Sequence, residues 1–190
     1  MHKRLLALLL AMPSVSVADY VAGVRAYIGG DYATAMREWR PLAEQGDRAA
    51  QYKLGQLYFR GKGVEQDYAA AARWHLLAAG QGDVTSMKLL AEDYTLGRGL
   101  PQDLAEAARW HQRLAELGQD KAMATLGQMH ADGRGVPRDL VAAHMWMNLA
   151  ANGKIPGAKG QRDEIARELT DEQIREAWRK ARAWYASYRK

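Results

Sequence analysis

Apolar residues return at helical intervals along most of the chain. Within residues 48–60, Leu54, Leu57 and Tyr58 fall at i, i+3 and i+4, the stripe that one face of a helix buries. No proline interrupts this stretch, which predicts a helix over Arg48–Arg60 closed by the turn of Gly61 and Gly63. A second helix is predicted over 68–79, with Asp67 as its N-cap and with Ala71 and Trp74 on one face. Near the end of the sequence, Ile174, Ala177, Trp178, Ala181, Tyr185 and Tyr188 share one face of a helix predicted over 171–188, which Thr170 and Gln173 open as a capping box. Arg175, Arg179, Lys180 and Arg182 are assigned to the opposite face. A shorter helix is expected over 161–168, after a loop at 154–160 that holds Pro156.

The two predicted helices of 46–81 recur. Aligned without gaps, residues 46–81 and 82–117 are identical at 15 of 36 positions, and 82–117 and 118–153 at 12 of 36. Gly46, Leu54, Gly61, Gly63, Asp67, Ala71, Trp74 and Ala79 keep their identity in all three copies. A 36-residue period of two helices is a hairpin that cannot bury its own apolar face and needs a neighbour. Gly29-Gly30-Asp31-Tyr32 repeats the register of Gly63 and Asp67-Tyr68 with a shorter loop, so 19–45 reads as a truncated first hairpin. After Gly153 the pattern stops, and 154–190 is expected to supply capping helices.

Composition sharpens this into an all-α reading. The chain holds 34 Ala and 21 Leu against 8 Val and 4 Ile, rich in helix formers and poor in the β-branched residues of sheets. There is no cysteine, which excludes disulfides, zinc-thiolate sites and a cysteine nucleophile. Residues 1–18 have the three regions of a secretory signal peptide: the basic His2-Lys3-Arg4, an apolar run of eight, and Ser16-Val17-Ala18, with cleavage expected between Ala18 and Asp19. The apolar run is too short to span a bilayer. The expected location is therefore periplasmic or secreted. Of the net charge of +5, Lys3 and Arg4 carry +2 and residues 154–190 a further +4, which leaves −1 for 19–153. A charge so confined does not argue for nucleic acid.

Candidate chemistry is sparse. His75 and His111 recur at the period, but ligands of one zinc must each lie ~2 Å from it, whereas stacked helices stand ~8–10 Å apart. Packing histidines are expected instead. Glu172 with Arg175 and Glu176 with Lys180 are spaced as solvated ion pairs, and no nucleophile-base set or phosphate loop is present in the pattern. The sequence predicts neither a catalytic residue, a metal site nor a cofactor.

Residues 42–55, followed by Leu57-Tyr58, Gly61-Lys62-Gly63-Val64 and Asp67-Tyr68-Ala69-Ala70-Ala71, resemble the Sel-one-like repeat (SLR), a branch of the tetratricopeptide-type helical repeats. Gln119 and His130 are the departures in copy three. The resemblance implies a right-handed α-solenoid of stacked hairpins that binds a protein or peptide as an adaptor, with the first helix of each hairpin on the concave face. Carried onto this chain, it picks out Tyr52, Gln56 and Phe59, then Lys88, Glu92 and Thr95, then Ala124, Gln128 and Ala131. An alternative places the basic C-terminal helix with Trp184 on an acidic cell-envelope polymer or an anionic membrane surface. A cell-wall or β-lactam hydrolase is a third reading, disfavoured by the missing catalytic set.

Overall fold

The computed structural model describes residues 17–188, so the expected leader lies, up to Ser16, outside the described residues. Ten helices and no strand are found among the described residues. They form consecutive hairpins: α1 (Val17–Ile28) with α2 (Tyr32–Glu44), α3 (Arg48–Arg60) with α4 (Tyr68–Gly80), α5 (Val84–Leu96) with α6 (Leu104–Glu116), and α7 (Asp120–Asp132) with α8 (Leu140–Asn152). The second helix of each hairpin packs on the first of the next, which makes the stack continuous, and α9 (Ala158–Ala166) and α10 (Asp171–Tyr188) close it. The expected cleavage point, between Ala18 and Asp19, falls inside the first turn of α1.

The recurring residues do recurring mechanical work. Asp67, Asp103 and Asp139 cap α4, α6 and α8 by accepting hydrogen bonds from backbone N–H groups of the first turn. Gly61, Gly97 and Gly133 end α3, α5 and α7 in the left-handed conformation, and the next N–H donates back to the carbonyl of Leu57, Asp93 and Met129. The second glycine of each turn has a role the sequence did not disclose. A Cβ on Gly63 would lie 2.6 Å from the Tyr32 carbonyl carbon, and one on Gly99 or Gly135 would overlap the carbonyl of Tyr68 or Leu104. Each turn therefore rests on the first turn of the preceding hairpin's second helix, and the glycine permits that approach.

Leu54, Leu90 and Leu126 are buried between the layers with Ala71, Ala107 and Ala143. Trp110 and Trp146 are also buried, while Trp74 is half-buried. The N-terminal hairpin is centred on Trp39, whose indole N–H donates to the Tyr20 carbonyl at 3.2 Å and lies against Gly23.

The C-terminal segment differs from expectation in two ways. The expected loop over 154–160 is shorter, because α9 begins at Ala158. The register also persists past Gly153: Lys154 has φ 59° at the place held by Gly46, Gly82 and Gly118, and the buried Ala158 follows Ala50, Ser86 and Ala122. What changes is the core, since Arg162 stands where Leu54, Leu90 and Leu126 stand in the copies. Its guanidinium bonds Asn148 at 3.2 Å and Asp163 at 2.6 Å instead of filling an apolar layer. α10 then lies along α8, which is consequently covered on all sides between Ala143 and Ala150.

Candidate partner-binding site

One register position of the second helices organises the site. Trp39, His75, His111 and Met147 each follow a capping aspartate by eight residues and face the first helix of their own hairpin. Opposite them stand Gly23, Gly55, Ala91 and Gly127. A Cβ on Gly55 would lie 2.6 Å from the His75 ring, so the missing side chain is what lets the imidazole sink between α3 and α4. His75 is fully buried, its Nδ1 3.3 Å from the Ser86 hydroxyl and its ring 5.9 Å from that of Tyr52. Burial pushes its pKa down to about 4, which keeps it neutral. The expectation of packing histidines holds at this position.

Copy two departs at both partners. Ala91 carries the methyl that Gly55 lacks, and Lys88 replaces the Tyr52 ring that covers His75. His111 accordingly stays half-buried and borders two clefts. The larger, about 530 Å³, is walled by Lys88, Lys121 and Thr125. The smaller, about 150 Å³, is walled by Thr95, Gln128 and Arg134. Burial lowers the His111 pKa as well, so the floor shared by the two clefts is a neutral imidazole.

The mouth of the larger cleft is positive. Lys88 and Lys121 are exposed and form no ion pair among the described residues. Asp120 also lines it, and its carboxylate abuts Gly153. Gln119 caps α7 without a side-chain hydrogen bond, unlike Asp47 and Asp83 at α3 and α5. Asp120, in the first turn, is then the acidic group that meets the positive end of the α7 dipole.

The residues expected from the sequence sort into three groups. Lys88, Thr95 and Gln128 come together around His111. Thr95 donates to the Ala91 carbonyl at 2.7 Å, and Gln128 donates to Asp132 at 2.9 Å and accepts from Gln161 at 3.4 Å. Tyr52 and Gln56 form a separate pair one hairpin earlier, where the Gln56 amide donates to the Tyr52 hydroxyl and the Lys53 ammonium lies 5.6 Å from the Tyr52 ring. Burial raises the Tyr52 pKa, so the phenol stays protonated.

Phe59 and Glu92 sit at a junction between hairpins. The Phe59 ring meets Tyr68 edge-on at 5.3 Å and is covered by the Arg98 guanidinium at 4.7 Å. Arg98 in turn holds Asp93 at 2.8 Å and Glu92 at 3.2 Å. Asp93 is buried where the other copies have Leu57 and Met129, and burial raises its pKa even with Arg98 beside it. These residues are engaged with each other and join copies one and two.

His111, Lys121 and Thr125 were not anticipated. The signal was available in the alignment, in the change from Gly55 to Ala91 opposite a recurring histidine. Among the described residues no group of three or more His, Asp or Glu is placed to hold a metal ion, and no helix is long and apolar enough to cross a membrane.

The chain is similar in structure to a Sel1 repeat protein from Oxalobacter formigenes, with a TM-score of 0.61 and 31% identity over 70% of this chain and 55% of that one. It shares its fold with c5321, a protective antigen of uropathogenic Escherichia coli strains displaying an SLR fold, at a TM-score of 0.51 and 24% identity over 90% of this chain and 46% of that one. The chain thus spans about half the length of either protein. No curated protein matches it. The Sel1 repeat matches at 48–83, 85–119 and 120–154, and proteins built of this repeat generally mediate protein–protein interactions. With three such repeats over more than half its length, the chain belongs to the Sel1 repeat family.

Proposed function

We propose that the protein is an exported, non-catalytic scaffold that holds an extended acidic segment of a partner protein against its first-helix face, in the clefts between α5 and α7. The observation that carries this reading is the meeting of Lys88, Thr95 and Gln128 around His111. Two ammonium groups without an ion pair favour carboxylates at one mouth. Threonine and glutamine at the other can hydrogen-bond a peptide backbone.

Replacing Lys88, Thr95 and Gln128 together by alanine tests the site. The expected result is weaker capture of the partner from periplasmic extract at an unchanged melting temperature, and unchanged capture contradicts it. Tyr52→Ala is unsuited to this purpose because the tyrosine ring covers His75. Export is supported by the pattern of residues 1–18. Mass spectrometry of fractionated cells should find the protein in the periplasm with Asp19 as its first residue, and protein confined to the cytoplasm with Met1 intact contradicts export.

A further inference from the structure

Two junctions of the stack are built alike and balanced differently. Between copies one and two, Phe59 meets Tyr68 edge-on at 5.3 Å, and the Arg98 guanidinium lies over Phe59 at 4.7 Å and Tyr68 at 5.9 Å. The chain itself neutralises that cation, with Asp93 at 2.8 Å and Glu92 at 3.2 Å. One junction earlier, Tyr27 and Tyr32 repeat the edge-on pair at 5.3 Å, and the Lys62 ammonium lies over them at 5.4 Å and 4.4 Å. Lys62 precedes Arg98 by one 36-residue period, but Gln56 and Leu57 stand where copy two has Glu92 and Asp93. The cation and its aromatic seat are kept, and both carboxylates are gone.

Lys53, where copy two has Leu89, adds a second cation. Its ammonium lies 5.7 Å from the Tyr27 ring and 5.6 Å from the Tyr52 ring, so two ammonium groups share Tyr27. Neither lysine forms an ion pair among the described residues. The charged and titratable groups that act on Lys62 are Tyr32, Tyr27 and Arg60, none of them a carboxylate. Asp83, which acts on Tyr52, is held as the N-cap of α5 by the Ser86 N–H. Two like charges gathered on one ring repel, and an anion set between them relieves the repulsion.

Lys62 donates to the Tyr32 hydroxyl at 2.9 Å, and the Gln56 amide donates to that of Tyr52, so each phenol accepts there and keeps its own proton to give. Tyr27, Tyr32, Tyr52, Lys53, Gln56 and Lys62 are all half-buried, which leaves them within reach of a ligand. The basic C-terminal helix offers no comparable site. Trp184, expected at a surface, is instead packed on Trp146 and stacked on Tyr188 at 5.0 Å, while Arg175 and Arg179 hold Glu172 and Lys180 holds Glu176.

The occupant follows from the neighbouring junction, where the same seat is completed by a glutamate carboxylate. We infer that the junction between the N-terminal hairpin and copy one binds an acidic side chain of a second polypeptide, which supplies to Lys62 and Lys53 what Glu92 supplies to Arg98. The site is separate from the α5–α7 clefts and does not rest on them.

Calorimetric titration with hexaglutamate and hexaglutamine tests this, in a full-chain parent carrying Lys88→Ala and Lys121→Ala so that the α5–α7 clefts do not contribute. Hexaglutamate should bind that parent, and hexaglutamine should not. Lys62→Gln and Gln56→Glu should each weaken binding about tenfold, the second because it installs the carboxylate that copy two carries. Lys62→Arg should bind like the parent, and Arg182→Gln, which removes an equal charge on α10, should change binding by less than about twofold. The inference is overturned if hexaglutamate does not bind the parent, if correctly folded Lys62→Gln and Gln56→Glu bind like it, or if Arg182→Gln weakens binding as much as Lys62→Gln. Equal affinity of the native chain and the parent would contradict the α5–α7 clefts and support this site.

Discussion

A methyl group added at Gly99 would fall on the Tyr68 carbonyl, in a residue with φ +71°, whereas at Gly30, with φ +82°, nothing lies within 4 Å. The two glycines separate backbone strain from close approach. Gly30→Ala should cost about 1 kcal/mol, the penalty of a left-handed alanine alone. Gly99→Ala adds the displacement of a whole hairpin and should cost about 2–4 kcal/mol in urea denaturation. Equal losses would mean that the turn does not bear on the preceding hairpin. Lys154 is the converse, a side chain at φ 59° in a glycine register. Lys154→Gly should raise stability by about 0.5–1 kcal/mol, read by the same titration.

Helix boundaries were largely legible in the chain, because they rest on local chemistry. The helix expected over 48–60 is α3, the one over 171–188 is α10, and the aspartates cap as their spacing implied. The start of α9 was not legible: Ala158-Lys159-Gly160 has weak local preference, and its helix is set by Ala158 packing in the register of Ala122. Where the local chemistry is missing, the structure shows it. α7 lacks a side-chain cap. Gln119→Asp should restore the cap seen at α3 and α5 and stabilise the protein by about 1 kcal/mol. It should also weaken capture of an acidic partner by placing a carboxylate beside Lys121, which a parallel capture assay would read.

Across the whole stack, neutral histidines couple stability to pH. The His75 pKa of about 4 lies below its ordinary value, so the unfolded chain takes up a proton before the folded one does. This contribution to stability is present above about pH 6.5 and is lost as the pH falls toward 4. At pH 5 the loss from His75 alone is about 2 kcal/mol, and His111 and His144 are shifted in the same direction. Asp93, raised by burial, acts oppositely, but through the lower range where carboxylates titrate. His75→Met, which copies the residue at position 147, should flatten the difference in urea midpoint between pH 7 and pH 5. An unchanged difference would clear His75 of the effect.

The candidate surface was legible only in part, for a physical reason. Spacing places Tyr52, Phe59, Lys88 and Gln128 on first helices, but which of them face open space depends on what lies opposite. Phe59 is taken up by Arg98, and Tyr52 by His75, whereas Lys88 and Gln128 remain at clefts because Ala91 holds His111 out. The repeat identifies an interaction module, and the departures from the repeat locate where it interacts.

Site-specific photo-crosslinking tests that location most directly. A benzophenone amino acid at Gln128, beside the clefts, is compared with one at Arg73, exposed on α4. In periplasm, position 128 should give one discrete protein adduct and position 73 none, and the adduct should be lost when Lys88 and Lys121 are changed to glutamate. An adduct formed at position 73 but not at 128, or one indifferent to both lysines, would contradict that location.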